Sequence, residues 1–176
     1  MEPGIERVTK LEAARRQLST AITLFFDRGD SVSVHTLSAA SQEILRGLGR
    51  RQGLGSMFKD SPLIKPEKRK ELGDIFNAAQ NFFKHADKDP DAVHDFRPAA
   101  TPFNILDAVE LYGRLTGSFF PEAEFFRIWF FVKFPHVTVG DLRKFVDEAR
   151  DLGVEPDNLE GAAAALVQWK RKRTVV

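Results

Sequence analysis

ERVTKLEAARRQLSTAITLFFDRGDSVSVHTLSAASQEILRGL, residues 6–48, settles the structural class of this chain. Its apolar residues recur at steps of three and four, which is the spacing of one face of an α-helix, and the pattern breaks once. In the first half Val8, Leu11, Ala14, Leu18, Ile22 and Phe25 make one stripe and predict a helix over 6–27. Arg28-Gly29-Asp30 interrupts it, with Gly29 suited to the left-handed position that ends a helix. Ser31 or Ser33 is the expected cap of a second helix, whose stripe is Val34, Leu37, Ala40, Ser41, Ile44, Leu45 and Leu48. So short a connection makes the two helices antiparallel, a hairpin.

Beyond the hairpin, Gly47, Gly49, Gly53 and Gly55 loosen the chain and 61–66 reads as a loop. Pro66 suits the first position of a third helix. Leu72, Ile75, Phe76, Ala79, Phe82, Phe83 and Ala86 form its apolar face, and Pro90 forbids its continuation. After a loop broken by Pro98 and Pro102, helices are predicted over 103–116 and 122–134, then 141–152 and 156–171 joined at Gly153, with 137–139 a short extended piece. Nothing alternates with period two for long enough to build a sheet. The expected class is therefore all-α: an antiparallel hairpin plus a third helix forming a bundle, with three or four additional C-terminal helices. Residues 1–100 are expected to form the bundle, and 101–176 a C-terminal helical extension packed on it.

Composition removes several classes of function. A chain of 176 residues is long enough to bury a core without staples, and the absence of cysteine excludes disulfides, thiolate nucleophiles and cysteine zinc sites. A net charge of +1 gives no molecule-wide attraction to a phosphate backbone, so any basic patch is local. The N-terminus lacks a basic region followed by an apolar run, and the most apolar stretch, 119–134, is interrupted by Pro121, Glu122, Glu124, Arg127 and Lys133. A cytoplasmic protein with no membrane segment is expected. The 16 phenylalanines concentrate in the fifth helix, which is apolar nearly all round. Such a helix either occupies the core or is shared with another chain, as in a homodimer or with a protein partner.

Candidate chemistry sits on the third helix, in Gln80-Asn81-Phe82-Phe83-Lys84-His85. At 100° per residue Asn77, Asn81, Lys84 and His85 fall opposite the apolar face, with Gln80 at the edge of that arc. Asn81 and His85, four apart, stack on one side. A solvated surface is one account of such an arc. Yet solvated faces favour Glu, Lys and Arg, whereas Asn is a poor helix former and His an indifferent one, which suggests a ligand.

A helical hairpin followed by a helix whose polar motif ends in histidine resembles the HEPN superfamily of α-helical domains. The family motif runs arginine, a polar residue that is often asparagine, three variable residues and histidine. Here Asn81 and His85 match it, while Gln80 stands at the arginine position. The resemblance covers about the first ninety residues. It implies a metal-independent endoribonuclease, or a degenerate relative that binds RNA or a nucleotide without cutting it, and no cofactor. On that reading His85 is the general acid or base, Asn81 orients the imidazole or the phosphate, and Lys84 replaces the missing cation. Gln80 would donate a hydrogen bond to substrate.

Three further features were weighed. His35, in the first turn of the second helix, is either a structural histidine bonded to neighbouring backbone or a group facing the third helix near substrate. His85, Asp87, Asp89, Asp91 and His94 are rich in potential ligands, but their spacing matches no calcium loop or helical histidine pair, so no metal is expected. The basic run Lys170-Arg171-Lys172-Arg173 either complements a helix C-terminus or contacts nucleic acid, with Trp169 as a stacking surface. Lys170 and Arg171 are accordingly candidate substrate-binding residues. The alternative to RNA handling is a non-enzymatic interaction module that dimerises or binds a protein partner through the Phe-rich helix.

Overall fold

Helix ends in the hairpin have identifiable chemical stops. The structure, a computed structural model, describes residues 4–61, 65–87, 89–137 and 141–174. Helix α1 (Lys10–Phe26) starts where the Thr9 side chain accepts a hydrogen bond from the Glu12 amide, which satisfies one of the free first-turn donors. At its end the left-handed residue is Arg28, with φ 54°, and not Gly29. Gly29 serves a different need. Its amide donates to the Leu24 carbonyl at 2.8 Å, and a Cβ there would lie 3.2 Å from the Leu24 side chain. The cap of α2 (Ser31–Arg50) is likewise Asp30 and neither serine: its carboxylate accepts from the Ser33 amide at 2.7 Å. A carboxylate accepts such a bond better than a hydroxyl and suits the positive end of the helix. Hydrogen bonds from the Ser33 hydroxyl and then from its amide lower the Asp30 pKa.

Helices α1 and α2 lie side by side, joined where the Ser41 hydroxyl donates to the Ala14 carbonyl at 2.8 Å. An adjoining side of α2 packs on α4 (Thr101–Thr116), so α2 is flanked by α1 and α4. Leu18 and Ile22 of α1, Leu45 of α2, Ile105 of α4 and Phe126 and Phe130 of α5 (Pro121–Lys133) are all fully buried in one core. That core continues into α6 (Arg143–Asp151) and α7 (Leu159–Thr174) through Ala149 and Leu166, so it crosses residue 100 without a break. No strand occurs among the described residues, and the architecture is an all-α bundle. Val137 closes a short 3₁₀ turn, Pro135–Val137, and is not extended; residues 138 and 139 lie outside the described residues. No described helix is long and apolar enough to cross a membrane.

The fifth helix is a core helix. Phe125, Phe126 and Phe130 are fully enclosed, and Trp129 and Ile128 nearly so. Edge-on ring contacts with Phe25 and Phe26 of α1 and Phe103 of α4 fix its orientation. Phe125, Phe126, Trp129 and Phe130 are thereby used inside the chain, while Phe131 is half-buried.

Helix α3 (Arg69–Lys84) joins the bundle at its margin, against α2. Its apolar stripe is only in part its inward face. Ile75 is 64% exposed and Phe76 43%, whereas Gln80 is only 4% exposed, and Ala79, Phe82 and Phe83 are half-buried. Of the stripe's first member, Leu72, the side chain lies outside the described ones. The rotation has a polar cause. Asn77 accepts a hydrogen bond from the buried ammonium of Lys59 at 2.7 Å, so one edge of the polar arc, Asn77 and Gln80, is turned toward the bundle while Asn81, Lys84 and His85 stay exposed.

Candidate functional site

Anchoring of α3 begins at a buried carboxylate. Asp107 on α4 accepts from Gln42 Nε2 at 2.7 Å, Ser56 Oγ at 2.6 Å and the Met57 amide at 2.7 Å. Gln42 Oε1 in turn accepts from Lys59 Nζ at 2.9 Å, and the same ammonium donates to Glu43 at 2.6 Å and to Asn77. All three ammonium protons are thereby used, as burial of a lysine demands. Next to this network Arg46 grips Asp60 with two 2.6 Å bonds, which hold the Asp60 carboxyl down at a pKa of about 2. Helix α2, the turn after it, α4 and α3 are thus tied by side chains that no apolar periodicity reveals. The one signal in the sequence was Asp107 itself, a carboxylate inside the apolar run 102–109.

Because α3 is held by its polar edge, it leaves two neighbouring concavities, with Ala78 and His94 lining both. The smaller, about 550 Å³, lies at its C-terminal end, where Asn81, Phe82 and His85 face Asp87, Asp89 and His94. Helix α3 ends at His85, whose backbone is extended and whose amide donates to the Asn81 carbonyl at 3.1 Å. The returning loop brings His94 to stack on Phe82, ring centroids 5.3 Å apart. Two imidazoles and a carboxamide therefore share one depression, with Asp87 Oδ1 4.0 Å from His85 Nδ1. His94, which sequence spacing had placed only in a metal-ligand run, is the member that the motif missed. Among the described residues no group of three or more His, Asp or Glu is placed to hold a metal ion.

The other sequence candidates fall elsewhere. Lys84 is exposed beside the depression and does not line it. Gln80 is buried and opens onto neither concavity. His35 does face α3, through an edge contact with Phe83, but its Nδ1 pairs with the Thr101 hydroxyl at 3.1 Å, and it lines the larger, neighbouring concavity and not the depression. Burial, and then the positive charge of Lys59, lower its pKa.

Two members of the four-residue basic run are engaged within the chain. Lys170 pairs with the nearly buried Glu122 at 2.5 Å and Arg173 with Glu124 at 3.1 Å, both in the first turn of α5. Trp169 donates to the Pro121 carbonyl and carries the Arg173 guanidinium over its ring. Its indole is therefore already stacked and bonded. Arg171 is exposed.

No protein-family model, curated protein or solved structure matches this chain.

Proposed function

We propose that the depression at the end of α3 handles RNA or a nucleotide, as the HEPN resemblance implies, with Asn81 and His85 as its working pair. What supports this is that Asn81, His85 and His94 open onto one hollow. An imidazole can take or give a proton near neutrality, and two of them in one hollow can serve as base and acid for the two oxygens of a transesterification. Asn81 would orient the phosphate or one of the rings. With Gln80 buried, the cation needed for the developing phosphorane charge falls to Lys84 or to a second chain. Asp87 and Asp89 repel a long phosphate backbone, which favours a mononucleotide or a short single strand over a duplex.

The test is cleavage of a short single-stranded ribo-oligonucleotide, beside a copy with deoxyribose at every position. The expected outcome is slow cutting of the ribo strand alone, or binding without cutting, lost in His85→Ala while the helical circular dichroism stays unchanged. Retention of both binding and cleavage by His85→Ala refutes the assignment.

A further inference from the structure

The larger concavity is an apolar cleft of about 820 Å³ between α3 and the loop that leads into α4. Phe58, Ile75, Phe76, Ala79, Phe96 and Phe103 form most of its wall. Exposure of Ile75 and Phe76 is the visible consequence: these apolar residues of α3 face this space, and none of the described residues fills it. A volume of this size suits a small organic molecule.

His35 stands in the wall of the same cleft, 7% exposed. Its Nδ1 is satisfied by Thr101, but its Nε2 is buried with no hydrogen-bond partner. A buried polar atom left unpaired costs free energy, and such atoms in native proteins call for an explanation. Phe96 lies edge-on to the ring with centroids 5.1 Å apart and helps to seal Nε2 from the cleft, so a group must displace the Phe96 ring to reach it.

Of the remaining polar groups of the wall, Asp95 and Arg97 are exposed and opposite in charge, His94 stacks on Phe82 and Asn104 donates to Ser38, so the buried Asp107 and Lys59 decide the charge of what fits. Asp107 has both oxygens occupied by three donors, and Lys59 has all three protons occupied by acceptors. Neither is left to compensate a charged ligand, and an uncompensated buried charge is costly. A hydroxyl both donates and accepts, so it completes His35 in either tautomer.

We infer that this cleft binds a small neutral aromatic molecule bearing one hydroxyl, a phenol or aryl alcohol, with its rings among the phenylalanines and its hydroxyl on His35 Nε2. The inference is independent of the RNA assignment, and the His85→Ala chain binds the same ligand.

The experiment is a fluorescence titration of the full chain with 1-naphthol and with 1-methylnaphthalene, which matches it in shape and lacks the hydroxyl. Saturable one-to-one binding of 1-naphthol is expected with a Kd below about 1 mM. The methyl analogue is expected to bind about five- to tenfold more weakly, the worth of one net hydrogen bond. His35→Leu should bring the two affinities together. Because that change is buried, Ala79→Trp provides a second arm: it fills the cleft from the marginal helix and should abolish binding of both probes with the melting curve little changed. No saturation by about 1 mM, equal affinity for the two probes in the unmodified chain, or indifference to Ala79→Trp overturns the inference. So does a dimer in sedimentation that Ala79→Trp converts to monomer and 1-naphthol leaves intact, since the occupant is then a second copy of this chain.

Discussion

Replacing Asp107 by asparagine changes one buried atom and, through it, the tie between three helices. In the folded chain the carboxylate accepts three bonds: two donors, Gln42 Nε2 and Ser56 Oγ, reach Oδ2, and the Met57 amide reaches Oδ1. A carboxamide has one acceptor oxygen and one NH₂. If the NH₂ takes the Oδ1 position, it faces the Met57 amide, donor against donor. If it takes the Oδ2 position, Ser56 Oγ, which already accepts from the Phe58 and Lys59 amides, can accept only by giving one of them up, and Gln42 must flip. The flip points its own NH₂ at Lys59 Nζ, which now donates to Gln42 Oε1 at 2.9 Å. Every arrangement leaves one buried donor without an acceptor.

That orphan costs about 1–3 kcal/mol, and the loss of charge-assisted character in the surviving bonds adds about 1 kcal/mol, so a destabilisation of about 2–4 kcal/mol is expected. Against a typical total of about 5–15 kcal/mol the effect is large. Urea unfolding of the two chains measures it, and amide hydrogen exchange at Met57 locates it, since the turn after α2 should open before the α1–α2 pair does. A change below about 0.5 kcal/mol, the scale of an ordinary surface substitution, would refute the claim that this carboxylate anchors the turn and α3.

Stability should fall as pH drops below about 6.5, the ordinary histidine value, because burial and the nearby Lys59 and His94 lower the His35 pKa in the folded chain and the unfolded chain takes up the proton first. The slope is at most about 1.4 kcal/mol per pH unit in that window. His35→Gln should flatten it relative to the parent chain, as chemical denaturation at pH 5, 6, 7 and 8 will show, whereas an unchanged slope assigns the proton elsewhere. Phe126→Ala, emptying a fully buried ring site between α1 and α5, should cost about 3–5 kcal/mol in the same assay. A mild loss of stability accompanied by a change in oligomeric state would return α5 to the role of an interface.

Period three-to-four spacing made the helices legible, because burial of one stripe per helix is what drives them to pack. Helix α1 shows it plainly: Ala14, Leu18 and Ile22 are all fully enclosed. Yet Phe26 and not Phe25 is the fully buried aromatic, and α2 is buried on two sides, the second lined by His35, Ser38 and Gln42. A stripe identifies a helix and says little about polar residues that are buried as a connected set. For the same reason the stripe of α3 misplaces its middle turns, where Asn77 and Gln80 point inward and Ile75 and Phe76 outward, although Asn81, Lys84 and His85 are exposed as the pattern implies. Hydrophobic patterning points Ile75 and Phe76 inward, but a lysine with three acceptors outweighs two partly covered apolar side chains. The depression was half legible. Asn81 and His85 are close in sequence and share a helix face, while His94 arrives from a loop whose return path no local pattern encodes.

A titration of the isotopically labelled chain with adenosine monophosphate, followed through the side-chain nitrogen signals of its histidines and asparagines, bears most directly on the depression as a nucleotide site. His85, His94 and Asn81 should shift together and saturate, with His35 and His136 unmoved. Shifts confined to residues around Lys170 and Arg171, or none at all at millimolar nucleotide, would place the chemistry elsewhere and leave α3 a structural helix.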